Sequence, residues 1–513
     1  MTKNGIVLLN LAPGMSFSYR NKGVIYPSTA TLLLGTVLND AGYEIHIIDG
    51  AYDENYLTKL RDILKAKQIL FVGMTVMTTQ VPLALKASIM VKKCDASIPV
   101  VWGGAHPTLF PQQTVSNENV DIVAINEGTS TAISLARCLQ NNGDLSTVNG
   151  IAYKKNDHSI HMTMPAPLDN IKELPHLNFS LIEADNYLHS KAQSVYAREF
   201  PGFNDKIKVM PILTGLGCPY KCEFCINPIL KRRYRFRSAA SIISEIKRLT
   251  NKYDTNTFLF LDEDFFVNKK RVLEFIALAE EENLHFNWRM WVRVDHFKPD
   301  YMNRDLIRRL TKIGFGSMPM GAESGNQQIL NHLKKGITLD QIKNSLHVLT
   351  GTKVTPRYSF MVGLENENLE QIKNTYRFCM DMTQINPEVD IAGPFVFRLY
   401  PGSPIFNRLV QEYNLKIPDS LDVWVEHLRN ESTFTAMPWT PKQFQKSAMF
   451  LDFYSSYALS DHTKWRWQPE WILDLVWHKL SRLRLKHFFF FFPFEYWANS
   501  ALNKVYHSIK GRG

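Results

Sequence analysis

Three cysteines stand in one octapeptide, Cys218-Pro-Tyr-Lys-Cys222-Glu-Phe224-Cys225, at C-x3-C-x2-C spacing directly after the apolar run of residues 209–213. Thiolates this close in sequence can converge on one metal centre from a single loop. Four thiolates would close a zinc or iron–sulfur site, whereas three leave one iron of a [4Fe–4S] cluster open to another ligand. Structural zinc is the plainer alternative, but it needs a fourth ligand and usually paired C-x2-C knuckles, and the sequence has no second knuckle. The spacing thus favours a cluster over zinc or an inert thiol loop. Cys94, Cys138 and Cys379 are scattered through helical patterns and read as core thiols of a reducing compartment.

The elements that must position such a loop follow two regimes. Over residues 1–150, short β-branched runs at 6–9, 45–48, 69–73, 100–102 and 122–125 alternate with amphipathic helical patterns near 28–41, 55–66, 81–93 and 131–140, with a loop after the fourth run. That alternation predicts a parallel, doubly wound, Rossmann-like sheet with ligands at the carboxyl ends of its strands. Polar, glycine-rich segments fall there: Asp49-Gly50, Gly73 to Thr79 with Thr75 and Thr78, Gly103-Gly104-Ala-His106-Pro107, and Asn126-Glu127-Gly128-Thr129. No G-x-G-x-x-G follows the first strand, which argues against a dinucleotide site. Residues 151–205, punctuated by Pro165, Pro167 and Pro175, read as a connector.

From 206 to about 420 the alternation resumes, with strands expected at 209–213, 257–261, 286–291, 314–320, 354–361 and 391–397. Six βα units with the cysteine loop after the first predict a partial TIM-type (βα)6 barrel whose chemistry sits at the strand carboxyl ends. Polar groups expected at those ends are Asp262-Glu263-Asp264, Arg293, and Gly321-Ala-Glu323-Ser324-Gly325. The acidic triplet equally suits a helix-start cap, and Arg293 equally suits an ion pair with Asp295. Gly363 and Gly402 are explained by turn geometry.

The cysteine octapeptide resembles the signature loop of radical S-adenosylmethionine (SAM) enzymes. The N-terminal segments, through Gly103-Gly104-Ala-His106-Pro-Thr108, the 121–128 strand and turn, and 148–153, resemble the cobalamin-binding domain of the B12-binding radical SAM family. The likeness covers roughly residues 1–420. It implies that Cys218, Cys222 and Cys225 ligate the cluster, that Phe224 lies near the adenine of SAM, and that Gly321, Glu323 and Ser324 contact SAM. By the same resemblance Asp262, Glu263 or Asp264 faces SAM or substrate, with Glu263 the chosen candidate, and Thr75, Thr78, Gly103, Gly104, His106, Glu127 and Gly128 belong to the cobalamin site; Arg293 suits the SAM carboxylate as well as it suits Asp295. The activity implied is reductive cleavage of SAM to a 5′-deoxyadenosyl radical, used to methylate an unactivated carbon. Oxidative cyclisation or rearrangement, as in the anaerobic tetrapyrrole cyclase, is the alternative, and a cobalamin sensor is a rival from another class. The D-x-H-x-x-G motif that ligates cobalt from below is missing. His106 is the nearest substitute, and as a loop histidine it reads more readily as a hydrogen-bonding group. An electron donor such as flavodoxin or ferredoxin is implied.

The chain has 513 residues, 45% hydrophobic and 21% charged, which is globular composition with room for two or three domains. Its start, Met1 to Asn10, runs straight into a strand pattern unlike a signal peptide, so a cytoplasmic location is expected. The net charge is +10, and residues 461–513 supply half of it with nine Lys/Arg against four Asp/Glu. Residues 421–513 read as a helical extension carrying Trp465, Trp467, Trp471, Trp477, Trp497 and the run Phe488 to Phe492. Ile472, Val476, Leu480 and Leu483 make an apolar stripe, and Lys479, Arg482 and Lys486 a cationic one. Such a helix either packs on the barrel or lies peripherally on anionic lipid with the Phe run inserted; the latter would suit a lipid over another small-molecule substrate. No nucleic-acid module is recognised.

Overall fold

The structure, a computed structural model, describes residues 4–12, 26–189, 207–429, 437–459 and 470–499. Trp465 and Trp467 lie outside the described residues, as do the side chains of Trp471 and Ile472. From the N-terminus come β1 (Gly5–Asn10), α1 (Thr29–Asp40), β2 (Glu44–Asp49), α2 (Tyr56–Ala66), β3 (Ile69–Thr75), α3 (Val81–Cys94) and β4 (Val100–Gly103). Two short helices, α4 (Ala105–Leu109) and α5 (Pro111–Ser116), stand where a loop was expected. Next are β5 (Ile122–Ala124), α6 (Thr129–Gln140), β6 (Ile151–Lys154), β7 (Ile160–Met162) and α7 (Ala184–Leu188).

These strands form one sheet in the order β2-β1-β3-β4-β5-β6-β7. The first five are parallel, with Leu9 opposite Met74 and Met74 opposite Trp102. The inner strands β1, β3 and β4 are buried on both faces because the crossovers lay helices on both, while β2 at the edge is only partly buried. Side chains alternate accordingly: Val7, Leu9, Val72 and Trp102 join the core made with Leu60, Leu64, Val81 and Ala84 of α2 and α3, while Leu8, Phe71, Gly73 and Val101 face α1 and α6. The connector reading needs correction at its start. Residues 151–154 and 160–162 pair antiparallel, Val123 opposite Ala152 and Tyr153 opposite His161, so the sheet is mixed rather than wholly parallel.

The second series contains β8 (Val209–Ile212), β9 (Gly215–Leu216), α8 (Asn227–Leu230), β10 (Arg235–Phe236), α9 (Ala239–Tyr253), β11 (Thr257–Phe260), α10 (Lys269–Glu281) and β12 (Asn287–Arg289). It continues through α11 (Arg304–Lys312), β13 (Phe315–Glu323), α12 (Gln327–His332), α13 (Leu339–Leu349), β14 (Thr355–Val362), α14 (Leu369–Ile385) and β15 (Asp390–Val396). Helices α15 (Pro404–Glu412), α16 (Leu421–Arg429), α17 (Lys442–Ala458) and α18 (Glu470–His487) follow. β8 and β11 pair in parallel, as do β13 with β14 and β14 with β15. This is the βα succession of a partial (βα)6 barrel, with its six strands β8 and β11 to β15 where the apolar runs predict them, while the short pair β9 and β10 was not expected.

By packing, the chain divides into two compact units, Met1–Trp288 with Tyr400–Glu431, and Arg289–Leu399 with Ser432–Gly513. The sequence reading put α16 at the head of the C-terminal extension. Instead, Leu421, Trp424 and Leu428 of α16 complete the N-terminal core against α3. The Trp424 indole donates to Gln113 Oε1 (2.8 Å), and the Gln113 amide donates to Pro418 O (2.6 Å). In the other unit α18 packs on α17 and α14. No helix among the described residues is long and apolar enough to cross a membrane.

Candidate cofactor site

In the first unit a cavity of about 270 Å³ opens at the carboxyl ends of β1, β3, β4 and β5 beneath α1 and α6. Its wall is apolar, and its rim carries Thr75, Gly103, Gly104, Glu127 and Gly128, five of the seven residues expected there. Gly104 is required by the backbone: φ is +98°, and a Cβ would lie 2.8 Å from Val76 N. A rim of glycines free of side chains suits a flat macrocycle lying across the strand ends, so the residues present fit cobalamin.

Thr78 and His106 do not line this cavity. His106 is wholly buried against Phe110 and Trp424, with ring centroids 5.3 and 5.5 Å away. Nδ1 lies 3.4 Å from the Thr78 hydroxyl, and Nε2 has no hydrogen-bond partner among the described residues. Burial among aromatic rings pushes this imidazole down to about 3. The histidine is thus a neutral core residue set apart from the lining of this cavity.

Glu127 reaches the rim, but its carboxylate is already engaged. Both oxygens accept from the Arg235 guanidinium of β10, one of these contacts at 2.8 Å, and Asp169 N donates to Oε2 at 2.8 Å. Arg235 also donates to Asp169 O (2.6 Å), and its guanidinium is held above its ordinary range chiefly by the hydrogen bond to Glu127. The clamp ties the turn after β5 to the strand that follows the cysteine loop. Leu213, Leu216 and Arg232, which bracket that loop in sequence, line the same cavity.

The loop itself runs from the end of β9 to α8. Cys222 is buried, Cys218 and Cys225 are half-buried, and none of the six cysteines is in a disulfide. Cys225 N donates to Cys222 O at 3.1 Å. Among the described residues no three His, Cys, Asp or Glu side chains are already gathered as metal ligands. The fit to an iron–sulfur cluster rests on the donor set, three soft thiols on one short loop at a strand's carboxyl end.

The acidic triplet after β11 divides its duties. Asp262 is buried, accepts from Thr214 N (2.9 Å) and Oγ1 (2.6 Å), and lies 3.5 Å from Arg271. Burial raises its carboxyl, opposed chiefly by Arg271. Asp264 accepts from Phe266 N (3.1 Å) as a turn cap. Burial raises the Glu263 carboxyl, while its own backbone N–H, Arg232 and the Gly217 N–H beside Cys218 draw it back.

In the second unit Gly321, Glu323 and Ser324 share the end of β13. Glu323 Oε1 accepts from Lys335 Nζ at 2.7 Å, with the Glu323 backbone at φ +64°. Arg293 Nη2 donates to Lys335 O at 2.7 Å, and Nε donates to Asp295 Oδ1 at 3.0 Å, so the ion pair of the two open readings is present. Glu323, Lys335 and Arg293 therefore form one polar cluster, in which Lys335 was not foreseen; nothing local to it in sequence marks it. The Ser324 hydroxyl accepts from Asn326 N (3.1 Å) and lies 3.3 Å from Thr375 Oγ1, which holds the turn together.

Residues 212–379 match the radical SAM superfamily model and residues 21–136 the B12 binding domain model. A protein named an uncharacterized methyltransferase from Pyrococcus horikoshii is 26% identical over 453 residues, spanning 87% of this chain and 92% of the other. The anaerobic magnesium-protoporphyrin IX monomethyl ester cyclase of Rubrivivax gelatinosus is 25% identical over 416 residues, 77% of this chain and 71% of the cyclase. Among solved structures, the cobalamin-dependent S-adenosylmethionine radical enzyme OxsB superposes with a TM-score of 0.70 at 16% identity, covering 94% of this chain and 72% of that one. The radical S-adenosylmethionine methyltransferase TsrM from Kitasatospora setae gives 0.62 at 17% identity, covering 80% and 76%. With both domain models matched in the expected order, the chain belongs to the B12-binding radical SAM family of enzymes, whose cofactors are a [4Fe–4S] cluster, SAM and cobalamin.

Proposed function

We propose that this enzyme methylates an unactivated carbon of a small molecule. The observation that carries the reading is the shared cavity: residues flanking the cysteine loop and residues of the cobalamin rim line one space. When bound, the cofactors supply a 5′-deoxyadenosyl radical and a cobalt-borne methyl group, and the protein fixes distances and excludes water. Cys218, Cys222 and Cys225 would hold the cluster and leave one iron for SAM. Glu323 retains acceptor capacity for the ribose or ammonium of SAM, backed by Lys335 and Arg293, and Glu263 lies beside the loop as a further contact. Thr75, Gly103, Gly104 and Gly128 would border the corrin, with Glu127 positioning rather than binding. His106, buried away from that cavity, would take no part in holding the cobalamin.

A radical cyclisation is the second reading, favoured by the likeness to the tetrapyrrole cyclase. The electron would come from a flavodoxin or ferredoxin, in keeping with a cytoplasmic enzyme. Protein reconstituted without oxygen with iron, sulfide and cobalamin is given dithionite and SAM, and mass spectrometry follows the products. 5′-Deoxyadenosine together with S-adenosylhomocysteine supports methylation, and Cys222→Ala should abolish the former. Deoxyadenosine alone supports cyclisation, and neither product would overturn the proposal.

A further inference from the structure

We propose that the aromatic turn after α18 is a membrane-contact site that seats this enzyme on an anionic lipid surface. Residues 488–497 read Phe-Phe-Phe-Phe-Phe-Pro-Phe-Glu-Tyr-Trp. Only part of this aromatic mass is core: Phe488 is 2% exposed and stacks near Phe444, while Phe490 packs edge-on to Phe488. Phe491 and Phe492 stand 79% and 64% exposed, with Phe489, Phe494 and Trp497 about half exposed. Five large aromatic side chains are thus exposed within nine residues, with Phe489 beside Phe491 and Phe492 edge-on to Trp497, an apolar surface of the kind that marks an interaction site.

The turn is built, not loose. Buried Arg484 donates to Glu495 through Nε and Nη2, both at 2.7 Å, and to the carbonyls of Phe489 and Phe492, both at 3.1 Å. Desolvating this ion pair is costly, and what its four hydrogen bonds achieve is to fix the backbone that presents the phenylalanines outward. Rigid display also lowers the ordering cost of insertion.

Charge selects the partner. Residues 475–494 contain no Asp or Glu, and the one acid that follows, Glu495, is held by Arg484. Along α18 the outward stripe is Val476, Lys479, Leu483 and Lys486, all exposed, and it leads directly into the turn. Arg482, expected on the lipid face, instead donates to Thr383 Oγ1 and Ala458 O. The contact is therefore the turn and one stripe, not the whole helix face. Aromatic side chains that enter the acyl boundary beside lysines that remain at the headgroups match an anionic bilayer.

Full-length protein is sedimented with vesicles of phosphatidylcholine alone and of phosphatidylcholine with phosphatidylglycerol, at low and high salt. Binding should favour the anionic vesicles, weaken with salt, and fall about tenfold or more in a Phe489→Ser/Phe491→Ser/Phe492→Ser variant. These side chains are exposed, so the variant should keep the wild-type melting temperature, which separates lost contact from lost fold. Trp497 emission, read against Trp497→Phe, should shift blue on the anionic vesicles. Absence of binding, binding indifferent to the triple substitution, or a concentration-dependent dimer that the substitution abolishes without any vesicle binding would each overturn the proposal.

Discussion

His106 places an ionisable ring where protonation is refused, and this has a measurable sign. Its ordinary value is 6.5 and burial takes it to about 3, so between these limits the unfolded chain binds a proton that the folded chain does not. Stability owed to this residue is full above pH 6.5 and is lost as pH falls. Comparing wild type with His106→Phe by denaturant unfolding, the wild type should lose roughly 2 kcal/mol more between pH 7 and pH 5. The visible spectrum of bound cobalamin should be the same in both proteins. A second residue-scale test concerns Gly321, where a Cβ would meet Glu323 Oε1 at 2.2 Å and Lys335 Nζ at 2.8 Å. Gly321→Ala should cost about 2 kcal/mol of stability and weaken SAM binding measured by calorimetry. The cysteines and the Gly-x-Glu-Ser segment were legible in sequence because each motif is local. The partner of Glu323 was not, since Lys335 lies twelve residues away across a helix and turn.

At the scale of elements, the strands were legible because alternating apolar runs record burial on a sheet wherever the sheet lies. What joined distant elements was not. Arg235 meets Glu127 across 108 residues, and the Trp424 indole meets Gln113 across 311; no window of sequence holds both ends. β6 and β7 were missed for a different reason, being short and followed closely by the prolines that gave the connector its character. The Arg235–Glu127 clamp is partly buried, at 17% and 10% side-chain exposure, and breaking one partner leaves the other charge uncompensated. Glu127→Gln should destabilise the protein by about 3 kcal/mol, with cobalamin retained less well on gel filtration. If the clamp also sets the spacing of rim and loop, the ratio of 5′-deoxyadenosine to S-adenosylhomocysteine should rise, an effect that lost stability alone does not produce.

For the whole molecule, a net charge of +10 bears on how electrons arrive. Lys221, Lys231 and Arg233 are exposed in and just beyond the cysteine loop. Reduction of the reconstituted protein by an acidic flavodoxin, followed by stopped flow, should therefore slow steeply as salt rises past the range where charges are screened. The sequence showed where the excess charge lay but not which residues would be drawn into the fold: Arg484 and Arg482 are occupied internally, while Lys479 and Lys486 remain outward. The return of α16 to the N-terminal core has a consequence in time. The strands of that sheet are all synthesised by residue 162, yet the helix that packs on α3 follows roughly 260 residues later, a delay on the order of ten to fifty seconds at ordinary translation speeds. Throughout that interval the apolar flank of α3 that α16 later covers stays open, so a chain that stops short of Leu421 should expose it and bind an apolar dye that the full chain does not.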